Sequence, residues 1–436
     1  MASIHHLIFL VGALGLVAVF MGQASARLGA PLLLVFLGLG MVAGESGPGG
    51  LRFSNFDAAY AIGGVALAFI LFEGGLKTRR RMVKLAGSPA FALATIGVGI
   101  TTALVASAIV WLLSAPWPIA LLIGAAVAPT DAAAVATVLG RAGNHVPLRV
   151  TALLEIESGL NDPMAIFLVI ALTDALLAPG SVTEIRLLLT FVAEMGGGAL
   201  IGVAGGHALL WVMRGLDADA ALNPALACIG ALALFGAAQS AGASGFLAVY
   251  LAGAVLGAHG GDLHQQTQRF FEALSRLAQI TLFLMLGLLV TPSELIPHIG
   301  PSLVTAAALI FLGRPVACLI CLLPFGFSLR EAAFASWAGL RGASPIFLTI
   351  VPILSGTAKG GLLFSAVFTI VLISMVAQGW TVAPVARLLG FGGCPIAATR
   401  RRLRAWETSG NKSLAPRHIG ETCRALHAGR REGGSH

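Results

Sequence analysis

The stretch Glu157-Ser158-Gly159-Leu160-Asn161-Asp162-Pro163 puts two carboxylates, a hydroxyl and an amide inside an apolar run from about Thr151 to Leu177. A charged side chain at the centre of a bilayer costs about 2.5–3.5 kcal/mol or more, so a carboxylate there marks a functional site by default. A second apolar run, Ala126-Val127-Ala128-Pro129-Thr130-Asp131-Ala132, carries another. Asp131 and Asp162 each lie within two residues of a proline. Two such carboxylates at membrane depth point to a site that holds a cation or a proton, which is a transporter's chemistry.

The composition around these runs agrees with a membrane setting. Of 436 residues, 57% are hydrophobic and 11% charged, and the mean hydropathy is +0.91. Soluble domains are about 25% charged. A spanning helix needs roughly 20 apolar residues. One placed on each long apolar run gives about thirteen, near 5–22, 29–44, 57–76, 88–113, 117–139, 151–178, 185–213, 220–240, 245–258, 271–291, 295–323, 329–353 and 361–389. The expected fold is an all-α polytopic membrane protein, with residues 1–390 as one transmembrane unit. Residues 391–436 form a short basic tail, expected to be disordered. Its Arg400-Arg401-Arg402-Leu403-Arg404-Ala405-Trp406 segment suits an anionic inner leaflet.

The net charge of +8 reads as topology, not as nucleic-acid binding. Arg27, then Lys77, Arg79, Arg80, Arg81 and Lys84, then Arg141 and Arg149, then Arg214, Arg269 and Arg330 fall in alternating loops with the tail. The opposite loops show little besides Arg52, Arg186 and Lys359. Lys/Arg bias marks the cytoplasmic side, so the N-terminus is expected outside and the C-terminus inside. The first span, followed by Gln23-Ala24-Ser25-Ala26, imitates a signal peptide but lacks a basic start, so it is read as a retained helix. Cys228, Cys318 and Cys321 fall in predicted spans and Cys394 and Cys423 on the reducing side. Neither a disulfide nor a zinc site is expected, and no cofactor.

Two spans carry breakers. The fifth has Pro129, and the twelfth has Gly339-Leu340-Arg341-Gly342-Ala343-Ser344-Pro345. Proline lacks an N–H and clashes with the carbonyl four residues back, so Pro129 is expected to free the carbonyl of Ala125 and Pro345 that of Arg341. Backbone freed at membrane depth must be buried in protein or line a cavity. Interrupted spans in corresponding positions of two halves point to a transporter's binding site; here the fourth to sixth spans correspond to the eleventh to thirteenth. The clusters Gly196-Gly197-Gly198 and Gly202-Val203-Ala204-Gly205-Gly206 are read as close helix packing, within the chain or at a dimer interface.

On the sixth span Ser158 and Asp162 share one helix face, and Glu157 and Asn161 share the next. Pro163 is expected to free the carbonyl of Gly159 and to push Asp162 off ideal helix geometry. Thr130 and Asp131 can add oxygens from the fifth span, and Asn161 is counted with them and with Ser158 and Asp162 as an ion-binding residue. Burial disfavours a carboxylate's charged form and a nearby cation favours it, so Asp162 can hold either a proton or a cation. Competition for one carboxylate suffices for exchange. Glu157 needs a partner at that depth; Arg314 is the expected one, forming a structural ion pair. Arg341 is expected to offset the negative C-terminal dipole of a broken half-helix.

Glu157-Ser158-x-x-Asn161-Asp162, Pro129-Thr130-Asp131, Phe72-Glu73-Gly74-Gly75-Leu76 and Gly339-Leu340-Arg341-Gly342-Ala343 together resemble the monovalent cation:proton antiporter family, in its sodium/proton-exchanger branch, over about residues 5–390. The resemblance implies two inverted repeats with crossing broken helices, and homodimers. It implies Asp162 as carrier of Na+ or K+ and of H+, with Ser158, Thr130 and Asp131 assisting, and the Glu157–Arg314 pairing. Asn161 in place of a second aspartate implies electroneutral exchange. Leu286-Gly287-Leu288-Leu289-Val290-Thr291-Pro292-Ser293 and Gly159-Leu160-Asn161-Asp162-Pro163 resemble the bacterial potassium/proton members, which implies the bacterial inner membrane.

Rival readings are a cation channel on the same carboxylates and an intramembrane protease. Gly242-Ala243-Ser244-Gly245 resembles the nucleophile motif of rhomboid proteases. Such a serine needs a histidine base from another helix, and His259, His264 and His298 all fall in predicted loops. No Gly-x-Gly-Asp surrounds either aspartate, which disfavours an aspartyl protease. Broken helices around one central site suit alternating access better than a continuous pore.

Overall fold

A chain this apolar leaves its backbone few partners but itself, and it satisfies its N–H and C=O groups by winding into helices. The computed structural model describes residues 5, 9, 12–21, 32–45, 47–131, 146–178, 183–215, 222–259 and 262–391. Helices α1 (Gly12–Met21), α2 (Leu32–Ala43) and α3 (Phe56–Lys77) are followed by the 34-residue α4 (Arg80–Leu113). Next come α5 (Trp117–Val127), α6 (Leu148–Leu177), α7 (Glu184–Gly215), α8 (Leu222–Ser240), α9 (Gly245–Ala258) and α10 (Asp262–Leu288). The chain continues with α11 (Pro292–Phe325), α12 (Leu329–Ala338), α13 (Ala343–Leu354), α14 (Gly360–Gly379) and α15 (Val382–Leu388). Among the described residues the sole extended pairing is an isolated bridge between Gly44 and Leu51.

Eight of these helices are long and apolar enough to cross a membrane, and α12 with α13, bent by 57° at a short break, makes a ninth. The shorter apolar helices α1, α2, α5 and α9 stand where the first, second, fifth and ninth spans were expected. The chain is an all-α, multi-pass membrane protein. The second part of the predicted fifth span, residues 132–139, and the tail 392–436 lie outside the described residues.

Two groups of helices repeat one order. In each, a 34-residue helix carries a π-turn, at Leu93–Gly97 in α4 and Leu309–Gly313 in α11. A short helix follows (α5; α12, separated by a short break from α13), then a long continuous one (α6; α14). The π-turn helices pack on each other, and π-turns concentrate at functional sites; Arg314 is the first residue after the second one. One end of α6 is tied to α12: Arg149 pairs with Glu331 at 3.3 Å, donates to the Gly326 carbonyl at 2.8 Å and lies over the Phe327 ring. Glu331 also closes a capping box with Ser328 at the start of α12.

Part of the glycine cluster resolves into a stripe on α7. Gly198, Gly202 and Gly206 sit four residues apart and press on α9. A Cβ on each would come within 2.6, 2.5 and 2.9 Å of the backbone of Ser244, Ala248 and Ala252 in turn. This is close packing within the chain.

Candidate ion-binding site

Ser158 and Asp162, one turn apart on α6, are both buried. A cavity of about 40 Å³ opens against their face, lined by Asp131, Ser158, Asp162 and Ser344 beside Leu71 and Phe283. The size admits a dehydrated alkali-metal ion or a few waters. Asp162 Oδ2 accepts a 2.8 Å hydrogen bond from Ser344 Oγ, whereas Oδ1 has no hydrogen-bond partner among the described residues. A buried oxygen left in that state is costly and calls for an explanation. A cation or a proton on the carboxylate supplies one.

The end of α5 meets the break between α12 and α13 at this point. α5 ends at Val127 with Ala128, still in helical geometry, as its cap, and Pro129 to Asp131 lie outside the helix. The backbone N–H of Asp131 donates to the Leu340 carbonyl at 2.9 Å, within the break between α12 and α13. That break holds two glycines for steric reasons. A Cβ at Gly339 would meet Arg314 Nε at 2.7 Å, and one at Gly342 would overlap the Asp131 carboxylate. Gly342→Ala should therefore displace Asp131, at a cost of about 1–3 kcal/mol for overpacking. A lowered thermal midpoint in detergent with weakened cation response is the expected pair of readings; an unchanged protein would mean Asp131 points elsewhere.

On the adjacent face of α6, Glu157 (0% exposed) makes a two-pronged contact with Arg314, Nη1 to Oε1 at 2.8 Å and Nη2 to Oε2 at 2.7 Å. This parallel geometry is the strong form of the ion pair. Asn161 Nδ2 donates to Glu157 Oε1 at 3.0 Å and to Thr130 Oγ1 at 2.8 Å. The Thr130 hydroxyl in turn donates to Glu157 Oε1 at 3.3 Å and lies 3.1 Å from Ser158 Oγ. Thr130 and Asn161, counted with the ion ligands from sequence, thus bind the ion-pair network, and Thr130 links it to the cavity through Ser158. Arg341, 1% exposed, donates to the carbonyls of Ala128 and Pro129. Its charge sits at the negative end of α5.

Three expectations about proline change. Ala128 N–H takes the Ala125 carbonyl at 3.3 Å, so the carbonyls presented are those of Ala128 and Pro129. Pro345 does not break the twelfth span: it lies in the first turn of α13, where the N–H has no intrahelical acceptor to lose. Gly339 to Gly342 make the break. Pro163 does not end α6, which runs from Leu148 to Leu177 with Asp162 inside it, although a proline there still leaves the Gly159 carbonyl without its helical donor. Two further points escaped the sequence reading. Ser344 reaches Asp162, and Cys318 and Cys321 stand at Cys-x-x-Cys spacing on α11, where both are free and buried. Ser244, the candidate protease nucleophile, caps α9 by accepting from Leu247 N–H at 3.3 Å.

The profile of the family described as sodium/hydrogen exchanger, transmembrane, matches residues 15–388. The chain belongs to the sodium/hydrogen exchanger family. Members of this family are transporters, not enzymes, which sets the protease readings aside. Among curated proteins, the chain is 41% identical over 389 residues to the K+/H+ antiporter NhaP of Alkalimonas amylolytica, covering 89% of this chain and 68% of that protein. It is also 41% identical over 385 residues to the K+/H+ antiporter NhaP2 of Shewanella sp. (strain ANA-3), covering 87% and 66%. The chain spans about two thirds of the length of these relatives. The solved structure of the sodium proton antiporter MjNhaP1 from Methanocaldococcus jannaschii superposes with a TM-score of 0.75 at 25% identity, over 88% of this chain and 99% of that one. The exchanger fold is therefore shared.

Proposed function

We propose that this exchanger-family chain swaps a monovalent cation, K+ or Na+, for H+ across a bilayer, with the two ligands competing for Asp162. The observation that carries this reading is the Asp162 Oδ1 atom, buried and without a partner among the described residues, on a small cavity shared with Asp131 and Ser158 where the end of α5 meets the break between α12 and α13. One carboxylate holds one positive charge, as a proton or as a cation. Alternating access to it gives one-for-one, electroneutral exchange, and Asn161, an amide, adds no second titrating group. Glu157 and Arg314 hold the site together, and Arg341 neutralises the end of α5. The relatives named K+/H+ antiporters make K+ the first cation to test. We place the protein in a bacterial inner membrane as a homodimer, with about thirteen spans, the N-terminus outside and the C-terminus inside. With that count α4 and α11 are the fourth and eleventh spans and cross in opposite directions, which makes the two helix groups inverted repeats.

Everted vesicles containing the protein, acidified inside, test this directly. The imposed ΔpH should collapse only when K+ or Na+ is added, and Ser244→Ala should respond like the wild type. Dissipation without added cation would indicate a proton leak or channel. A response lost in Ser244→Ala alone would remove the exchange assignment.

A further inference from the structure

Ser344 is the one cavity-lining hydroxyl that comes from the second interrupted helix. It occupies the first turn of α13, is 7% exposed, lines the same cavity as Asp131, Ser158 and Asp162, and donates to Asp162 Oδ2 at 2.8 Å. We infer that Ser344 Oγ is a cation ligand and affinity determinant of this site, supplied by α13 and bridging it to α6 through the bound ion. The inference rests on the exchange reading above and adds a residue to it.

The chemistry of a hydroxyl suits this position. Ser carries one donor and two acceptor lone pairs. With Asp162 ionised, the proton of Ser344 points at Oδ2 while its lone pairs stay available to a cation in the cavity. With Asp162 protonated and the cation gone, the same oxygen can accept from the carboxylic acid. No rotamer change is required between the two loaded states, so one side chain serves both halves of the cycle. Alkali-metal ions take hard oxygen ligands in place of hydration water, and the short stem of serine keeps Oγ within reach of the carboxylate. The unpartnered Asp162 Oδ1 and the Ser158 hydroxyl supply further oxygens from α6.

Removing the hydroxyl should weaken cation binding while leaving the carrier group in place. In everted vesicles, Ser344→Ala is expected to raise the cation concentration for half-maximal ΔpH dissipation about tenfold, equivalent to about 1.4 kcal/mol, with the maximal rate within about twofold. Ser344→Thr keeps the hydroxyl and should recover most of the affinity. A purely structural role would lower stability and rate together and would show no rescue by threonine. The second readout is thermal unfolding of the purified protein titrated with KCl or NaCl against choline chloride. Wild type should be stabilised by the alkali cation, and Ser344→Ala should need about tenfold more salt for the same shift.

A half-saturation constant for Ser344→Ala within about twofold of wild type, in vesicles and in thermal titration, overturns the inference and leaves exchange standing. So does a Ser344→Thr variant as impaired as Ser344→Ala. If the wild type itself shows no cation-dependent response in either assay, the exchange reading fails and Ser344 as a ligand fails with it.

Discussion

Asp162→Asn abolishes cation-dependent ΔpH dissipation, to the level of vesicles lacking the protein, while the protein still folds. The two halves of this expectation come from different physics. Asparagine is nearly isosteric with aspartate, and its side-chain oxygen can still accept the hydrogen bond that Ser344 now donates at 2.8 Å. It carries no proton to exchange near neutral pH and no negative charge to balance a cation. Function therefore goes. Stability should hold or rise, because a buried ionised carboxylate without full pairing is among the costlier groups in a protein. Cation-free thermal midpoints in detergent measure this, and added K+ or Na+ should no longer raise the midpoint of Asp162→Asn. Asp131→Asn is a graded comparison: its backbone tie to Leu340 is unaffected, so affinity should fall while some exchange remains. Persistent exchange by Asp162→Asn at wild-type rate would move the carrier role to another group and remove the basis of the mechanism.

The parts of this site that were legible in the sequence are those that break the rules of an apolar run. Asp131, Glu157, Asp162, Arg314 and Arg341 stand out because a bilayer tolerates charge only where it has work or a partner. Helical spacing then put Ser158 with Asp162. Spans were legible for the same reason, since about 20 apolar residues are hard to mistake. What was hidden depends on contact across helices. Ser344 is a small polar residue next to a proline, with no local signal to separate it from a helix start. Its meaning comes only from the fold, which closes the 182 positions between it and Asp162. Thr130 and Asn161, counted as ion-binding residues by proximity, also tie into the ion pair: they hydrogen-bond Glu157 and each other, and Thr130 reaches Ser158 as well. The prolines misled because their effect depends on position in the helix. Pro345 in a first turn costs nothing, while Gly339 and Gly342 make the break because Arg314 and Asp131 lie where their Cβ atoms would be. The π-turn before Arg314 had no sequence signature that spacing could reveal.

Removing one partner of the Glu157–Arg314 pair should be the most destabilising change in the chain, and removing both charges together should be much milder. Glu157→Gln leaves the Arg314 guanidinium buried at 3% exposure, with Nε already lacking a partner among the described residues. Arg314→Met leaves the Glu157 carboxylate with Thr130 and Asn161 as its donors among the described residues. Each single change strands a buried charge, a loss of about 3–5 kcal/mol. The double variant Glu157→Gln with Arg314→Met strands none, and the new amide can still accept from Asn161 and Thr130 through its oxygen. Thermal midpoints of the four proteins form a double-mutant cycle, and the double variant should lie closer to wild type than either single one. Exchange gives the second reading. Glu157 and Arg314 do not line the cavity that Asp162 shares with Asp131, Ser158 and Ser344, so the double variant should retain cation-dependent ΔpH dissipation. If Glu157→Gln loses exchange with its midpoint unchanged, the carboxylate belongs to the transport step, and the ion pair is not the scaffold proposed for it. If the double variant is stable but silent, the pair sets the position of α6 against α11 closely enough that charge, and not shape alone, is needed there.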